Sequence, residues 1–446
     1  MITKEEIIRA LYDSNFWGKE QEVGIVREEY LEKLIKIKDM KESISIAGVR
    51  RCGKSTISKQ FLKHVIEKGA KKENTLYVNF EEPSFSPYLN SNILDIVYNT
   101  YSEVINPEDF AYIVLDEVQN VPNWERWVRA KQEKGKVKII VTGSSSKLMS
   151  SEFSTVLGGR CLNIDIFPLS FREFVKFKGR TVKQYKGVVI DKNVISSLLR
   201  EYLEFGGFPR AVMEKKENKN MLLKEYFDSI IFRDIVSRYN IRDVNLLKTL
   251  AIIMQTNISS PSSIGKLASV LQDSFKRKTS LETVSRFLEY FESAFLIFLV
   301  PIFSYKIKDQ LQYPRKIYSI DAGLRNAVCF RFSEDIGKLY ENVVFLELKR
   351  KGKEIYYWKD AQQREVDFVI KEGLVVKELI QVCLNLENEK TKKRETDALL
   401  IAMDEFEIKE GTIITEDYKD EENFDEKIIK FIPLWEWLLT IENVGG

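Results

Sequence analysis

Long apolar runs are missing from this sequence of 446 residues. The longest, AFLIFLVPIF, is far short of the ~20 residues that span a bilayer, and the opening MITKEEIIRALYDSNFWGKE lacks the unbroken apolar segment of a secretory signal. Cysteine is scarce. Cys52, Cys161, Cys329 and Cys383 are widely separated and form no CxxC pair, which argues against a disulfide framework and against a zinc site. Charge of one sign is not in excess either: 69 Lys and Arg against 67 Asp and Glu leave a formal net charge of +2. That balance excludes a polybasic nucleic-acid coat and confines any nucleic-acid contact to a local patch. The chain has one histidine, no internal repeat and no low-complexity linker. These absences predict a cytoplasmic chain with no membrane partner, in the reducing compartment that scattered thiols suit. At roughly 150 residues per domain the length allows about three domains.

What is present is a rhythm. Short apolar strands, SISIAG, TLYVNF, AYIVLDE, VKIIVTGS and CLNIDIFPL, alternate with helical stretches up to about residue 175, which predicts an α/β fold with a parallel sheet covered on both faces. From about 190 to 295 the apolar period becomes helical, in NVISSLLREYLEF, LLKEYFDSIIFRDIVSRY and LLKTLAIIMQT, broken by GGFPR and SSPSS. From about 335 a helix, GKLYENVVFLELKRKG, is followed by the strands EIYYWKD, EVDFVI and ELIQVCLNL, which suggests a separate α/β domain.

The first strand leads into GVRRCGKST. Gly48, Gly53, Lys54 and Ser55 fit G-x-x-x-x-G-K-[ST], the spacing of a phosphate-binding loop. In such a loop the glycines let backbone N–H groups, here including those of Arg50, Arg51 and Cys52, turn inward around phosphate oxygens. The helix that begins at Lys54, Ser55 and Thr56 points its positive end at them. Lys54 would reach the β- and γ-phosphates of ATP, and Ser55 would ligate Mg2+. The third strand ends in Asp116 and Glu117, at the carboxyl edge where open α/β sheets bind ligands. Asp116 would hold the magnesium and Glu117 would act as general base toward water. A strand that ends in a solvated acidic turn is the plainer alternative for a lone Asp-Glu pair.

The stretches GVRRCGKST, IVLDEVQN, VTGSSS, GGRCLNIDIFPLSFREF, GGFPRAV and, much later, EVDFVI with LIQVC occur in an order that resembles the archaeal and bacterial AAA+-like P-loop ATPases with a restriction-endonuclease-like carboxyl-terminal domain. The resemblance covers nearly the whole chain. It implies an AAA+-like ATPase core over 1–180, a helical lid over 181–245, a winged helix over 246–333 and a degenerate restriction-endonuclease-like domain over 334–446. It places a γ-phosphate sensor at Ser144 or Ser145, an arginine finger acting on a neighbouring subunit at Arg160, and nucleotide contacts at Pro209 and Arg210 in the lid. A finger in trans implies a homo-oligomer, with a hexameric ring as its model. An arginine that caps helix carbonyls, or an ordinary surface arginine, is the alternative at Arg160 and Arg210.

Between 261 and 320 the pattern is helix, turn, helix and a strand pair, the layout of a winged helix. Thr279 or Ser280 would cap its second helix. Lys276, Arg277, Lys278, Thr283 and Arg286 would face DNA from the exposed start of that helix, with Leu281, Val284, Phe287, Leu288 and Phe291 forming the buried stripe. In the tail, Glu341, Asp367 and Gln381 match in order the acidic positions of the nuclease fold, whose carboxylates hold magnesium when active. Cys383 stands where that fold carries its lysine; Lys377 or Lys390 would be needed to replace it. Gln381 and Cys383 each remove a charge the chemistry uses, so the tail is expected to bind or assemble rather than cut. The function expected is an ATP-hydrolysing ATPase that binds DNA and remodels, moves along or switches on it. The alternatives are a nucleotide-switched signalling or defence protein with a protein-docking winged helix, and an ATP-dependent nuclease.

Overall fold

The structure is a computed structural model that describes residues 2–105, 110–146, 161–181, 184–185, 188–189, 191–330, 336–384 and 386–440. The chain divides into two compact units, Met1–Ile166 and Phe167–Gly446.

In the first unit the five strands are β1 (Ser43–Ala47), β2 (Thr75–Asn79), β3 (Ala111–Asp116), β4 (Val137–Gly143) and β5 (Cys161–Asp165), and the helices are α1 (Lys4–Tyr12), α2 (Glu28–Ile37), α3 (Lys54–Glu67), α4 (Ile93–Val104) and α5 (Trp124–Glu133). All strand pairs are parallel, in the order β2-β3-β4-β1-β5. The five residues of β1 are all buried, as a strand covered on both faces requires, and this explains its apolar composition. Because β1 and β3 flank β4, their carboxyl ends open side by side. Strand β2 lies at the sheet edge, where unpaired backbone groups invite wrong partners. The amphipathic leader answers this: Asn15 accepts from the Tyr77 N–H at 2.7 Å and donates to the Tyr77 carbonyl at 2.8 Å, and the Trp17 indole donates to the Thr75 carbonyl.

The second unit opens with α6 (Phe171–Phe177), a short ribbon of β6 (Gln184–Tyr185) and β7 (Val188–Val189), α7 (Lys192–Phe205), α8 (Pro209–Met213) and α9 (Lys216–Ser229), which runs on as a π-helix over Ile230–Ser237. Next come α10 (Val244–Thr256), β8 (Pro261–Ser262), α11 (Ile264–Phe275), α12 (Leu281–Ser293), β9 (Ile297–Val300), α13 (Ile307–Gln312) and β10 (Arg315–Ser319), with an antiparallel sheet in the order β8-β10-β9. Ser280 caps α12 by accepting from the Thr283 N–H at 3.1 Å. Thr279 does not; its hydroxyl is buried without a hydrogen bond. Leu281 departs from the expected buried stripe: as the first residue of α12 it is 59% exposed, while Val284, Phe287, Leu288 and Phe291 are buried.

The tail follows with α14 (Ala322–Val328), α15 (Ile336–Arg350), β11 (Glu354–Lys359), β12 (Glu365–Glu372), β13 (Val375–Val382), α16 (Glu389–Glu405), β14 (Glu410–Thr415), β15 (Asp420–Phe424), β16 (Lys427–Pro433) and α17 (Leu434–Leu439). Its mixed six-stranded sheet runs β11-β12-β13-β14-β16-β15, with β13, β14 and β16 parallel and α16 crossing between β13 and β14. The tail's core takes in a residue from before it. Phe303, from the connection after β9, sits in its core with Trp358, Val369, Leu399 and Phe431, and Ile302 pairs with Tyr357 beside β11. No helix among the described residues is long and apolar enough to cross a membrane.

Candidate functional site

The loop between β1 and α3 is shaped by its glycines. Gly53 has φ +105 and Arg51, at φ +71, shares the left-handed region; between them the Cys52 N–H, expected to face phosphate, instead donates to the Val49 carbonyl at 3.3 Å and closes the loop on itself. At Gly48 a Cβ would run into the Ile166 carbonyl, so no larger residue fits beside β5. Behind the loop the buried Arg27 donates to the Cys52 carbonyl at 2.9 Å, and burial pushes the Cys52 thiol above its ordinary range. Arg50 pairs with Glu81 at 2.8 Å, and Arg51 and Thr56 are exposed. Lys54 is buried. Its ammonium donates to the Gly48 and Val49 carbonyls at 3.0 and 3.2 Å and lies 3.6 Å from the Glu117 carboxylate.

The carboxylates meet the loop from β3. Asp116 accepts from Ser55 at 2.7 Å and from Tyr77 at 2.5 Å, both at Oδ2, and from Thr142 at Oδ1. Burial, and next the charge of Glu117, raise the Asp116 carboxyl above the usual aspartate range against these three donors. Glu117 has φ +53, a conformation a non-glycine residue keeps only under constraint. Its N–H donates to the Thr142 hydroxyl at 3.2 Å and its Oε2 accepts from Gln119 at 2.5 Å. The structure thus brings together Gly48, Gly53, Lys54, Ser55, Asp116 and Glu117.

It adds Tyr77, Thr142 and Gln119, which the sequence reading passed over. The signal for Thr142 was present: it is the polar residue that ends the apolar run Ile139–Val141 of β4, one step beyond the Leu115–Val141 pair and so level with Asp116. Ser144 and Ser145 lie just past β4, both buried. Arg160 lies outside the described residues.

Pro209 and Arg210 belong to the second unit, at the start of α8, and Arg210 is exposed. The glycines before them have a local task. The Asp321 carboxylate accepts from the Gly207 N–H at 2.7 Å and from the Leu324 N–H at 2.8 Å, which caps α14. A Cβ on Gly206 would overlap Asp321, and one on Gly207 would press on the Leu169 carbonyl. So FPLSF, GGFP and DAG, distant in sequence, form one backbone clasp. Burial raises Asp321 to about 6.

Of the residues expected to face DNA, Lys276, Lys278 and Arg286 are exposed, whereas Arg277 is ion-paired to Asp243 and Thr283 is engaged with Ser280.

In the tail, Glu341, Asp367 and Gln381 do converge: Gln381 accepts from the Asp367 N–H at 2.9 Å, and Asp367 accepts from the Val382 N–H at 2.9 Å. Cys383 is buried in the core of the tail, and Lys377 and Lys390 are exposed rather than turned inward. The lysine present is Lys316 of β10. Its ammonium, 1% exposed, lies 2.7 Å from Asp367, 2.7 Å from Glu365 and 3.0 Å from Glu341. Burial alone would lower its pKa, but the charges of Asp367 and Glu341 outweigh burial and hold it well above the ordinary lysine value. Burial, and next the Asp367 charge, push Glu341 up to about 8, against the charge of Lys316, and Lys359 lies 3.6 Å from Glu365 at the edge of the group. Among the described residues no group of three or more His, Cys, Asp or Glu is arranged to hold a metal ion.

The five-stranded parallel sheet and its loop define a P-loop fold, and a family model described as an AAA domain matches residues 40–175. Models described as domains of unknown function, DUF8612 and DUF4143, match 196–335 and 336–437. The chain belongs to the family of "Uncharacterized protein MJ1544" of Methanocaldococcus jannaschii, to which it is 37% identical over 426 residues, covering 93% of this chain and 92% of that protein. A second uncharacterized protein, from Haemophilus influenzae, is 31% identical over 415 residues, covering 93% of this chain and 98% of that protein. Among solved structures, the Aeropyrum pernix ORC1 protein in complex with DNA is similar at TM-score 0.35 and 14% identity, over 74% of this chain and 97% of that one. AMPPCP-bound DnaA from Aquifex aeolicus is similar at TM-score 0.26 and 13% identity, over 62% and 91%.

Proposed function

We propose that the chain is an ATPase that uses Mg2+ and couples hydrolysis to a change of state on DNA. The observation that carries the hydrolytic part is the joining of loop and strand: Ser55 to Asp116 at 2.7 Å, and Lys54 to Glu117 at 3.6 Å, in a buried crevice at the carboxyl edge of the sheet. The residues fit the nucleotide and its ion: a glycine-bounded loop running into a helix start and a buried lysine for phosphate oxygens, and a hydroxyl beside a carboxylate for a hard cation. When bound, Mg2+ supplies charge neutralisation at the phosphates. Lys54 exchanges its carbonyl partners for phosphate oxygens, which frees Glu117 of a neighbouring ammonium. Glu117 would accept the proton of the attacking water, with Gln119 holding its carboxylate and Thr142 its backbone N–H.

The DNA part rests on Lys276, Lys278 and Arg286, exposed at the start of α12, in a helix and strand order that reads as a winged helix. The oligomer part rests on Arg160 as a finger and on sequence alone. One observation favours the nucleotide-switched protein: the connection after β9, the wing in a winged helix, is packed into the tail through Phe303.

Lys54→Ala should lose ATP binding and turnover together, while Glu117→Gln should keep binding and lose turnover at least about a hundredfold, the usual scale for a general base. Equal loss of binding in both would overturn the base role. Turnover with and without duplex, branched and single-stranded DNA separates the two readings, since a switch with a protein partner predicts no response to any of them.

A further inference from the structure

We propose that Lys316 is the resident cation of the tail's carboxylate centre: its ammonium closes that centre to divalent ions and locks β10 to α15 and β12 as one body. This goes beyond the ATPase reading and does not depend on it.

Three carboxylates from two elements, Glu341 of α15 and Glu365 and Asp367 of β12, point at one place, and the Lys316 Nζ is within 3.0 Å of an oxygen of each. An ammonium has three hydrogens to donate, so three acceptors satisfy it fully. The oxygens it occupies are the ones a hard cation would need. Calcium takes carboxylate oxygens at about 2.3–2.6 Å, closer than the 2.7–3.0 Å at which these three are held around the ammonium, so as it stands the centre is not arranged for a divalent ion and would accept one only by contracting once the ammonium has gone. While Lys316 is seated, a second cation would meet a full positive charge in a buried place, and the ammonium is tethered at high local concentration where a free ion is not.

The tether is held from several sides. Tyr318, two residues on and on the same strand face, donates to Glu341 at 2.7 Å. Asn342 of α15 accepts from the Ser319 N–H at 2.7 Å and donates to the Ser319 carbonyl at 3.1 Å, pairing the helix to the end of β10 as a neighbouring strand would. Tyr357 donates to the Pro314 carbonyl at 2.6 Å just before β10. Withdrawal of Lys316 therefore needs the strand to leave, not merely a side chain to turn.

The test is Ca2+ titration of the full-length chain, free of nucleotide, by calorimetry and by thermal shift. Wild type should take no Ca2+ that depends on Asp367. Lys316→Ala should bind about one Ca2+ per chain and regain with it much of the melting temperature it lost, and adding Asp367→Asn should abolish both. Asp367-dependent Ca2+ binding by wild type, or a folded Lys316→Ala chain that takes none, would overturn the proposal. Should Lys316→Ala be too unstable to isolate, Asp367→Asn in the same chain should restore folding by removing the uncompensated charge. No rescue would overturn the idea that Lys316 serves as counter-ion. Because none of these measurements reads ATP turnover, they stand or fall apart from the ATPase assignment.

Discussion

Asp116 receives hydroxyls from three different elements, and each can be removed singly. Ser55 is also the residue proposed to ligate Mg2+, so Tyr77 and Thr142 are the informative ones. A hydrogen bond to a charged group in a buried place contributes about 1.5–3 kcal/mol. Tyr77→Phe keeps the ring and removes one donor to Oδ2. The carboxylate is then less firmly oriented, and turnover should fall about tenfold with KM for ATP unchanged, 1.4 kcal/mol being one decade. A change in KM alone would count against this positioning role. Thr142 both donates to Asp116 and accepts from the strained Glu117 N–H. Thr142→Val, which keeps shape and loses both bonds, should cost more than Tyr77→Phe, and Thr142→Ser should restore most of the rate. If serine fails where the hydroxyl is retained, the methyl packing and not the hydrogen bonding is what matters at this position.

At the scale of elements, the clasp around Asp321 joins the turn after α7 to the start of α14. Gly206→Ala puts a Cβ onto the carboxylate at a backbone φ of +71 and should destabilise the second unit by on the order of 3 kcal/mol, read from chemical denaturation. Asp321 also makes a pH prediction. Its native carboxyl titrates near 6 against 3.8 in the open chain, raised by burial against backbone donors and the nearby Arg350. Between those values the native state keeps a proton that the unfolded chain has lost, so this group's contribution to stability falls as pH rises from about 4 to about 6 and is level above. Between pH 7 and pH 5 it should add about 1 kcal/mol to wild type relative to Asp321→Asn, at 1.36 kcal/mol per pH unit. A difference between the two chains that is independent of pH would show that the carboxylate is not held up by burial.

Strands β1 to β4 were readable because a covered parallel strand is mostly apolar, β5 at the sheet edge only from its partial alternation, and the loop was readable because phosphate binding demands glycines and a lysine at set spacing. The clasp was not readable in the same way: GGFP and DAG are more than a hundred residues apart, and nothing in either names the other. Lys316 was hidden for the same reason. Periodicity places it on β10, but only tertiary packing brings that strand against Glu341 and Asp367.

At the scale of the whole molecule the charges cancel, so any hold on DNA must be local and its salt dependence should count the residues that provide it. Each phosphate neutralised contributes about −0.9 to the slope of log affinity against log salt on duplex DNA. Arg277 is engaged with Asp243, and Phe303 commits the connection after β9 to the tail, which leaves Lys276, Lys278 and Arg286 as the exposed cations at the start of α12. Lys276 ends α11 at φ +53, so it is better replaced by asparagine, which tolerates that conformation, than by alanine. A chain carrying Lys276→Asn, Lys278→Ala and Arg286→Ala should keep its melting temperature, because all three side chains are exposed, and lose up to about 3 units of salt slope, with affinity falling alike on every DNA sequence tried. The measurement is a binding isotherm at four or five salt concentrations for both chains. An unchanged slope with unchanged affinity would move the DNA contact elsewhere on the molecule, and absence of binding by wild type at the lowest salt would leave the nucleotide-switched protein as the reading to pursue.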